Sequence, residues 1–157
     1  MTRQYGGLDF GTSNSTLGIS LKGREVLCPL EQSAVTLPSA VFFDYEDHMV
    51  RYGRDAIAAY IEGAEGRLLR SLKSVLGSQL VNETTLIQRK HVAMRNIIGM
   101  FVRHVKATAQ RYLAGQGVNG EIDSVVLGRP VRFVDEDDES DRRAEAELIE
   151  IAKAQGF

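Results

Sequence analysis

The chain carries one cysteine, no long apolar run and almost no net charge, and each scarcity removes a class of protein. A single thiol, Cys28, cannot close an internal disulfide, so the sequence suits a reducing compartment rather than a disulfide-held scaffold. Cys28 follows Val26 and Leu27 in a strand-like run and reads as a buried structural thiol. Nothing approaches the roughly 18 consecutive apolar residues of a membrane span. The opening MTRQYGGLDF lacks the apolar stretch of a secretory signal. A net charge of -2 over 157 residues gives no basic surface for nucleic acid. His48, His91 and His104 lack metal-ligand spacing and suit surface or core positions. No internal repeat or low-complexity linker interrupts the chain. These absences predict a cytoplasmic protein with neither a nucleic-acid nor a membrane partner.

What is present is an ordinary globular composition, 43 % apolar and 25 % charged, enough to bury a core. The length fits one domain or part of a larger one. The first fifty residues read as strands at 5–10, 16–21 and 25–28, the last two joined at Lys22-Gly23 as a hairpin. An apolar strand at 40–43 follows Leu37-Pro38-Ser39. A weaker strand over Met49–Tyr52 stops at Gly53, and a short helix over 54–61 ends near Gly63. Residues 83–114 give the clearest helical pattern, with Ile87, Met94, Ile98, Phe101, Val105, Ala109 and Tyr112 at spacings of three, four or seven. Thr84 or Asn82 would cap its start, and Gly115 would end it. Gly99 inside that pattern costs about 1 kcal/mol against Ala and points to close packing on a neighbour. Residues 122–127 read as a strand whose apolar end, Val125 to Leu127, predicts a central place in a sheet. A second helix over 139–154 puts Ala144, Leu148, Ile151 and Ala152 on one face. Between them, 135–141 holds six acids in seven positions. It reads either as a solvated loop feeding a helix N-terminus, where acids suit the dipole, or as a metal site.

The stretch GLDFGTSNST, from Gly7 to Thr16, is the densest in chemistry. Gly6, Gly7 and Gly11 let the backbone turn tightly and approach a ligand. Successive N–H groups in such a turn form a concavity that attracts anions. The hydroxyls of Thr12, Ser13, Ser15 and Thr16 add donors without bulk. Asp9 would repel a bare phosphate, and a divalent cation between them resolves the conflict, because Mg²⁺ is commonly held by one or two carboxylates plus phosphate oxygens. The pattern is neither a Walker loop, lacking Gly-Lys-Ser/Thr, nor a dinucleotide fingerprint, since the turn leads into a strand. Two readings remain, a Mg²⁺–phosphate turn and a plain hairpin turn built from the usual turn residues.

DFGTSNS resembles the first phosphate motif of the actin-like ATPase superfamily, which covers actin, sugar kinases and the seventy-kilodalton heat-shock (DnaK-type) chaperones. TLPSAVFF (36–43) resembles the chaperones' Thr-Pro-Ser strand, LKSVLG (72–77) the segment holding their catalytic lysine, and VVLGRPVRF (125–133) the strand and Pro130 turn before their next helix. AKAQGF resembles the end of that helix. The Gly-Arg-Pro and Lys-Ser-Val-Leu-Gly versions look most like the YegD-like subgroup. The resemblance implies a ribonuclease-H-like α/β fold, a mixed sheet with flanking helices, of which residues 1–157 form the N-terminal part, within the first lobe. It implies Asp9 as the residue holding Mg²⁺ through water. Gly11, Thr12, Ser13 and Asn14 fall on the phosphate turn, and Lys73 on the residue that reaches the γ-phosphate of ATP. Arg129 departs from the apolar residue usual before that proline. The implied parent is a chaperone-like ATPase that binds ATP and ADP and takes unfolded peptides or co-chaperones as partners. Its rivals are a small-molecule kinase of the same superfamily and a binding module that has lost hydrolysis.

The second phosphate motif, the second lobe and the adenosine-binding segments have no counterpart in the sequence, which reads as a truncated fragment whose unpaired lobe self-associates through exposed apolar surface. The chain alone is therefore expected to bind ATP weakly or not at all and not to turn it over. Robust Mg²⁺-dependent hydrolysis by the purified 157-residue chain would contradict that expectation.

Overall fold

The structure is a computed structural model describing residues 4–128 and 137–157. In chain order it forms strands β1 (Gln4–Phe10), β2 (Asn14–Leu21), β3 (Arg24–Leu27), β4 (Leu37–Pro38), β5 (Ala40–Asp44) and β6 (Met49–Tyr52), then helix α1 (Gly53–Ile61). Strands β7 (Gly66–Arg70), β8 (Thr84–Ile87) and β9 (Lys90–Ala93) lead to helix α2 (Met94–Gly115), strand β10 (Ile122–Gly128) and helix α3 (Asp138–Ala154). The main sheet runs β10-β1-β2-β3, with β4 pairing β2. Strands β1, β2 and β3 are antiparallel, while β10 lies parallel to β1, so the sheet is mixed and the class is α/β.

Period-two alternation explains how the sheet divides. Leu8 and Phe10 of β1 and Leu17 and Ile19 of β2 are buried on one face, while Tyr5, Gly7 and Asp9 stand on the other. The buried face meets α2, whose Ile97, Ile98, Phe101, Val102, Val105, Ala109 and Leu113 are inaccessible to solvent. The Phe10 and Phe101 rings lie 5.9 Å apart and tilted, an attractive aromatic geometry. Strand β5 has no solvated face. Val41 and Phe43 enter this main core, and Ala40 and Phe42 pack with Ala56 and Ala59 of α1 in a second one. A strand buried on both faces reads as a continuous apolar run, as 40–43 does. The β6-β5-β7 sheet is thereby fastened to the main sheet through α2 and to α1 on its far side.

The long helical pattern proves to be two structures. Residues 84–93 form the β8–β9 hairpin, and only Met94 begins α2. Thr84, Thr85, Ile87 and Val92 are β-branched and favour strands, and the hairpin turns at Gln88, which has φ 53°. Ile87 is buried in the same core as α2, so its seven-residue spacing to Met94 mimics a helix face. Neither Thr84 nor Asn82 caps α2. Ala93 precedes it, and the Met94 N–H donates to Glu83 O at 2.9 Å. Gly115 ends α2 as expected, as its last residue. Gly99 does pack closely, since a Cβ there would come 2.9 Å from the Gln155 side-chain nitrogen. Strand β10 is not central: among the described residues it pairs only β1, and Val126 is 75 % exposed. Strand β7 carries no sequence signal strong enough to mark it. Helix α3 buries Ala144, Leu148, Ile151 and Ala152 as expected. Cys28 lies one residue past β3, donates its N–H to Leu17 O at 2.8 Å and is fully buried. Burial pushes its thiol up to about 11, which leaves it protonated and unreactive. Among the described residues no helix is long and apolar enough to cross a membrane.

Two predictions follow from this packing. Phe101→Ala, at a fully buried ring between Phe10 and Tyr52, is expected to lower stability by about 3–5 kcal/mol in urea unfolding, whereas Tyr60→Ala on exposed α1 surface should change it by under about 0.5 kcal/mol. His104 stacks on Tyr52 with ring centroids 4.0 Å apart. Burial and then Arg111 hold its imidazole below the ordinary value, with Glu31 opposing. The unfolded chain thus takes up the proton more readily. Stability is complete above about pH 6.5 and falls as pH drops through and below that value. Melting at about pH 7.5 and about pH 5.5 should show this loss, and His104→Phe should reduce it.

Candidate functional site

β1 ends at Phe10 and β2 starts at Asn14, so Gly11, Thr12 and Ser13 form the loop between them. Only glycine fits position 11, because a Cβ there would overlap the Asn14 carbonyl oxygen. Thr12 and Ser13 are exposed, and among the described residues their N–H groups donate to no protein acceptor. Asn14 is exposed as the first residue of β2, where it pairs with Pro38. The loop is held from behind by Ser39. Its hydroxyl donates to Gly11 O at 2.8 Å, its N–H donates to Ser13 O at 2.9 Å, and its Oγ lies 2.9 Å from Ser15 Oγ.

Asp9 is exposed at the end of β1, flanked in register by Thr16 of β2 and Gly128 of β10. Both neighbours are small, which leaves room around the carboxylate. Lys73 comes from elsewhere in the chain. After β7 the backbone enters the left-handed region at Ser71, with φ 53°, and closes a 3₁₀ turn over Leu72–Val75. Buried Leu72 and Leu76 anchor that turn in the core. Just beyond, the Gly77 N–H donates to the buried carboxylate of Glu147 at 2.7 Å, tying the segment to α3. Burial lowers the Lys73 ammonium below its ordinary value, and the field of Asp9 works against that shift. The two predicted charges therefore feel each other across a wide sequence separation.

The structure thus gathers Asp9, Gly11, Thr12, Ser13 and Asn14 where β1 passes into β2, at one end of the main sheet, and puts Lys73 in the field of Asp9. A carboxylate, free N–H donors, hydroxyls and a cation can together hold a phosphate and a divalent ion. The described part of the acidic run starts a helix. Asp137 accepts from the N–H groups of Glu139 and Ser140 at the start of α3, each at 3.1 Å, so it is the helix cap. Among the described residues no group of three or more His, Cys, Asp or Glu is placed to hold a metal by itself. Arg129, Pro130, Asp135 and Glu136 lie outside the described residues. Sequence reasoning offered the Ser15 hydroxyl to a ligand, whereas it is fully buried against Ser39; it missed Glu147 and quoted Gly77 and Ser39 without seeing their tasks. The available signal was a polar residue between Pro38 and a wholly apolar strand. No protein-family model matches the chain.

Position 11 gives a sharp contrast with position 7, where nothing lies within 4 Å of an added Cβ. Gly11→Ala is expected to distort the loop and lower stability by more than about 1 kcal/mol, while Gly7→Ala stays within about 1 kcal/mol of wild type. Thermal melting of both variants checks this.

Proposed function

We propose that this chain is the phosphate-binding part of a chaperone-like ATPase with a ribonuclease-H-like, actin-like ATPase fold. The observation that carries the reading is the convergence of an exposed Asp9, a glycine-dependent loop with free N–H donors, and the separately anchored Lys73. A mixed five-stranded sheet, in which β1 to β4 pair antiparallel and β10 lies parallel to β1, backed by α2, agrees with that fold. In this reading the substrate is ATP, and the parent acts in the cytoplasm.

The N–H and hydroxyl groups of Gly11, Thr12 and Ser13 bind phosphate oxygens, and Asn14 closes the turn. Asp9 would hold Mg²⁺. When bound, the ion neutralises charge on the phosphates. Lys73 sits in a partly dry position, where its field on a bound anion is stronger than in open water. It stabilises charge on the γ-phosphate and orients the attacking water. The water oxygen forms a bond to the γ-phosphorus as the bond to the bridging oxygen of ADP breaks, giving ADP and inorganic phosphate. Closure of two lobes around the nucleotide then couples its state to an unfolded peptide or co-chaperone.

The test is ATP hydrolysis by the full-length parent with Mg²⁺, beside its Lys73→Ala variant. Slow turnover by wild type and a loss of about 10²–10³-fold in the variant are expected. Equal rates would contradict the role of Lys73. ATP binding without turnover in wild type would assign the loop to a kinase or a binding module instead.

A further inference from the structure

We propose that Ser39 is the positioning residue of the phosphate loop, holding its backbone in the binding shape through a hydroxyl relay that starts at Ser15. This rests on the phosphate reading of the loop given above. Ser39 is 2 % exposed and Ser15 is fully buried, so neither touches a ligand and both hydroxyls need partners inside the protein. A serine has one hydroxyl hydrogen. Because Ser39 Oγ donates it to the Gly11 carbonyl at 2.8 Å, the 2.9 Å contact between the two hydroxyls must be Ser15 donating to Ser39. The relay therefore runs from Ser15 to Ser39 to the Gly11 carbonyl, each bond polarising the next. The Ser39 N–H donates to Ser13 O at 2.9 Å, so one residue grips the loop on both sides of Thr12.

The grip is effective because Ser39 is itself held. Leu37, two residues earlier, is 1 % exposed in the main core. Thr36 receives two bonds from Arg54 at the start of α1, one to its carbonyl at 2.7 Å and one to its hydroxyl at 3.1 Å. The Arg54 guanidinium also pairs with Glu31 at 2.7 Å. The loop thus leans on a strand fixed at both ends. With its carbonyls engaged from behind, the unsatisfied Thr12 and Ser13 N–H groups are left for an anion on the solvent side.

The test uses the full-length parent, Mg²⁺ and tripolyphosphate at millimolar concentration, with binding read from ³¹P line widths. Amide hydrogen exchange of residues 11–14 is followed in parallel. Ser39→Ala should speed exchange in the loop, lower the melting temperature and, at a temperature where it is still folded, weaken binding by about fivefold or more. Ser39→Thr, which keeps the hydroxyl, should restore much of the affinity. Ser15→Ala, which leaves the bond to Gly11 in place, should give an intermediate loss and keeps the test open if Ser39→Ala does not fold. Unchanged affinity in Ser39→Ala, even with faster exchange, would make Ser39 merely structural and overturn this role alone. Absence of binding by the wild-type parent would overturn the phosphate reading and this role with it.

Discussion

The close approach of the Asn14 carbonyl to the α-carbon of Gly11 is the contact on which the site turns. Any side chain at position 11 would fill that space, and the chain could not pass from β1 to β2 through Thr12 and Ser13 alone. So short a connection fixes the register of the first two strands, with Phe10 opposite Ser15 and Asp9 opposite Thr16. Register in turn decides faces. It sends Phe10 and Leu17 into the core under α2 and leaves Asp9 in solvent beside the loop. A slip of one residue would bury the carboxylate and expose the phenyl ring.

The rest of the molecule brings distant residues to that loop. α2 packs both the β1–β2 face and the inner side of β5, so the segments on either side of β5 are carried to fixed places. One of them ends at Ser39, behind the loop. Another runs through β7 to the 3₁₀ turn, where Leu72 and Leu76 hold Lys73 between two buried anchors. Glu147 completes the arrangement from α3. Its buried carboxylate accepts the Gly77 N–H, and leaving that carboxylate unpaired would be costly. The loop chemistry is local, but the placement of its cation depends on two helices and both cores.

Much of this was legible before any coordinates. The strand-like run 5–10, the wholly apolar 40–43 and the later part of the periodic 83–114 each correspond to an observed strand or helix, because burial on one face or two leaves a direct trace in residue type. The glycine–hydroxyl turn after Asp9 also declared itself. What stayed hidden depended on tertiary partners. Ile87 looked helical because it shares a core with α2, and β10 looked central because Val125 to Leu127 are apolar although Val126 faces solvent. Ser15, Ser39 and Glu147 are polar residues whose role exists only once separate segments meet, and a single sequence holds no mark of such a meeting.

The central claim is that Asp9, the Gly11–Ser13 loop and Lys73 make one phosphate site. The most direct measurement is the amide ¹⁵N–¹H shift map of the chain as Mg²⁺–pyrophosphate is added. The account predicts changes concentrated at Gly11, Thr12, Ser13 and Lys73 that disappear in Asp9→Asn. Changes confined to residues away from the loop and Lys73, or a loop that does not respond at all, would contradict it.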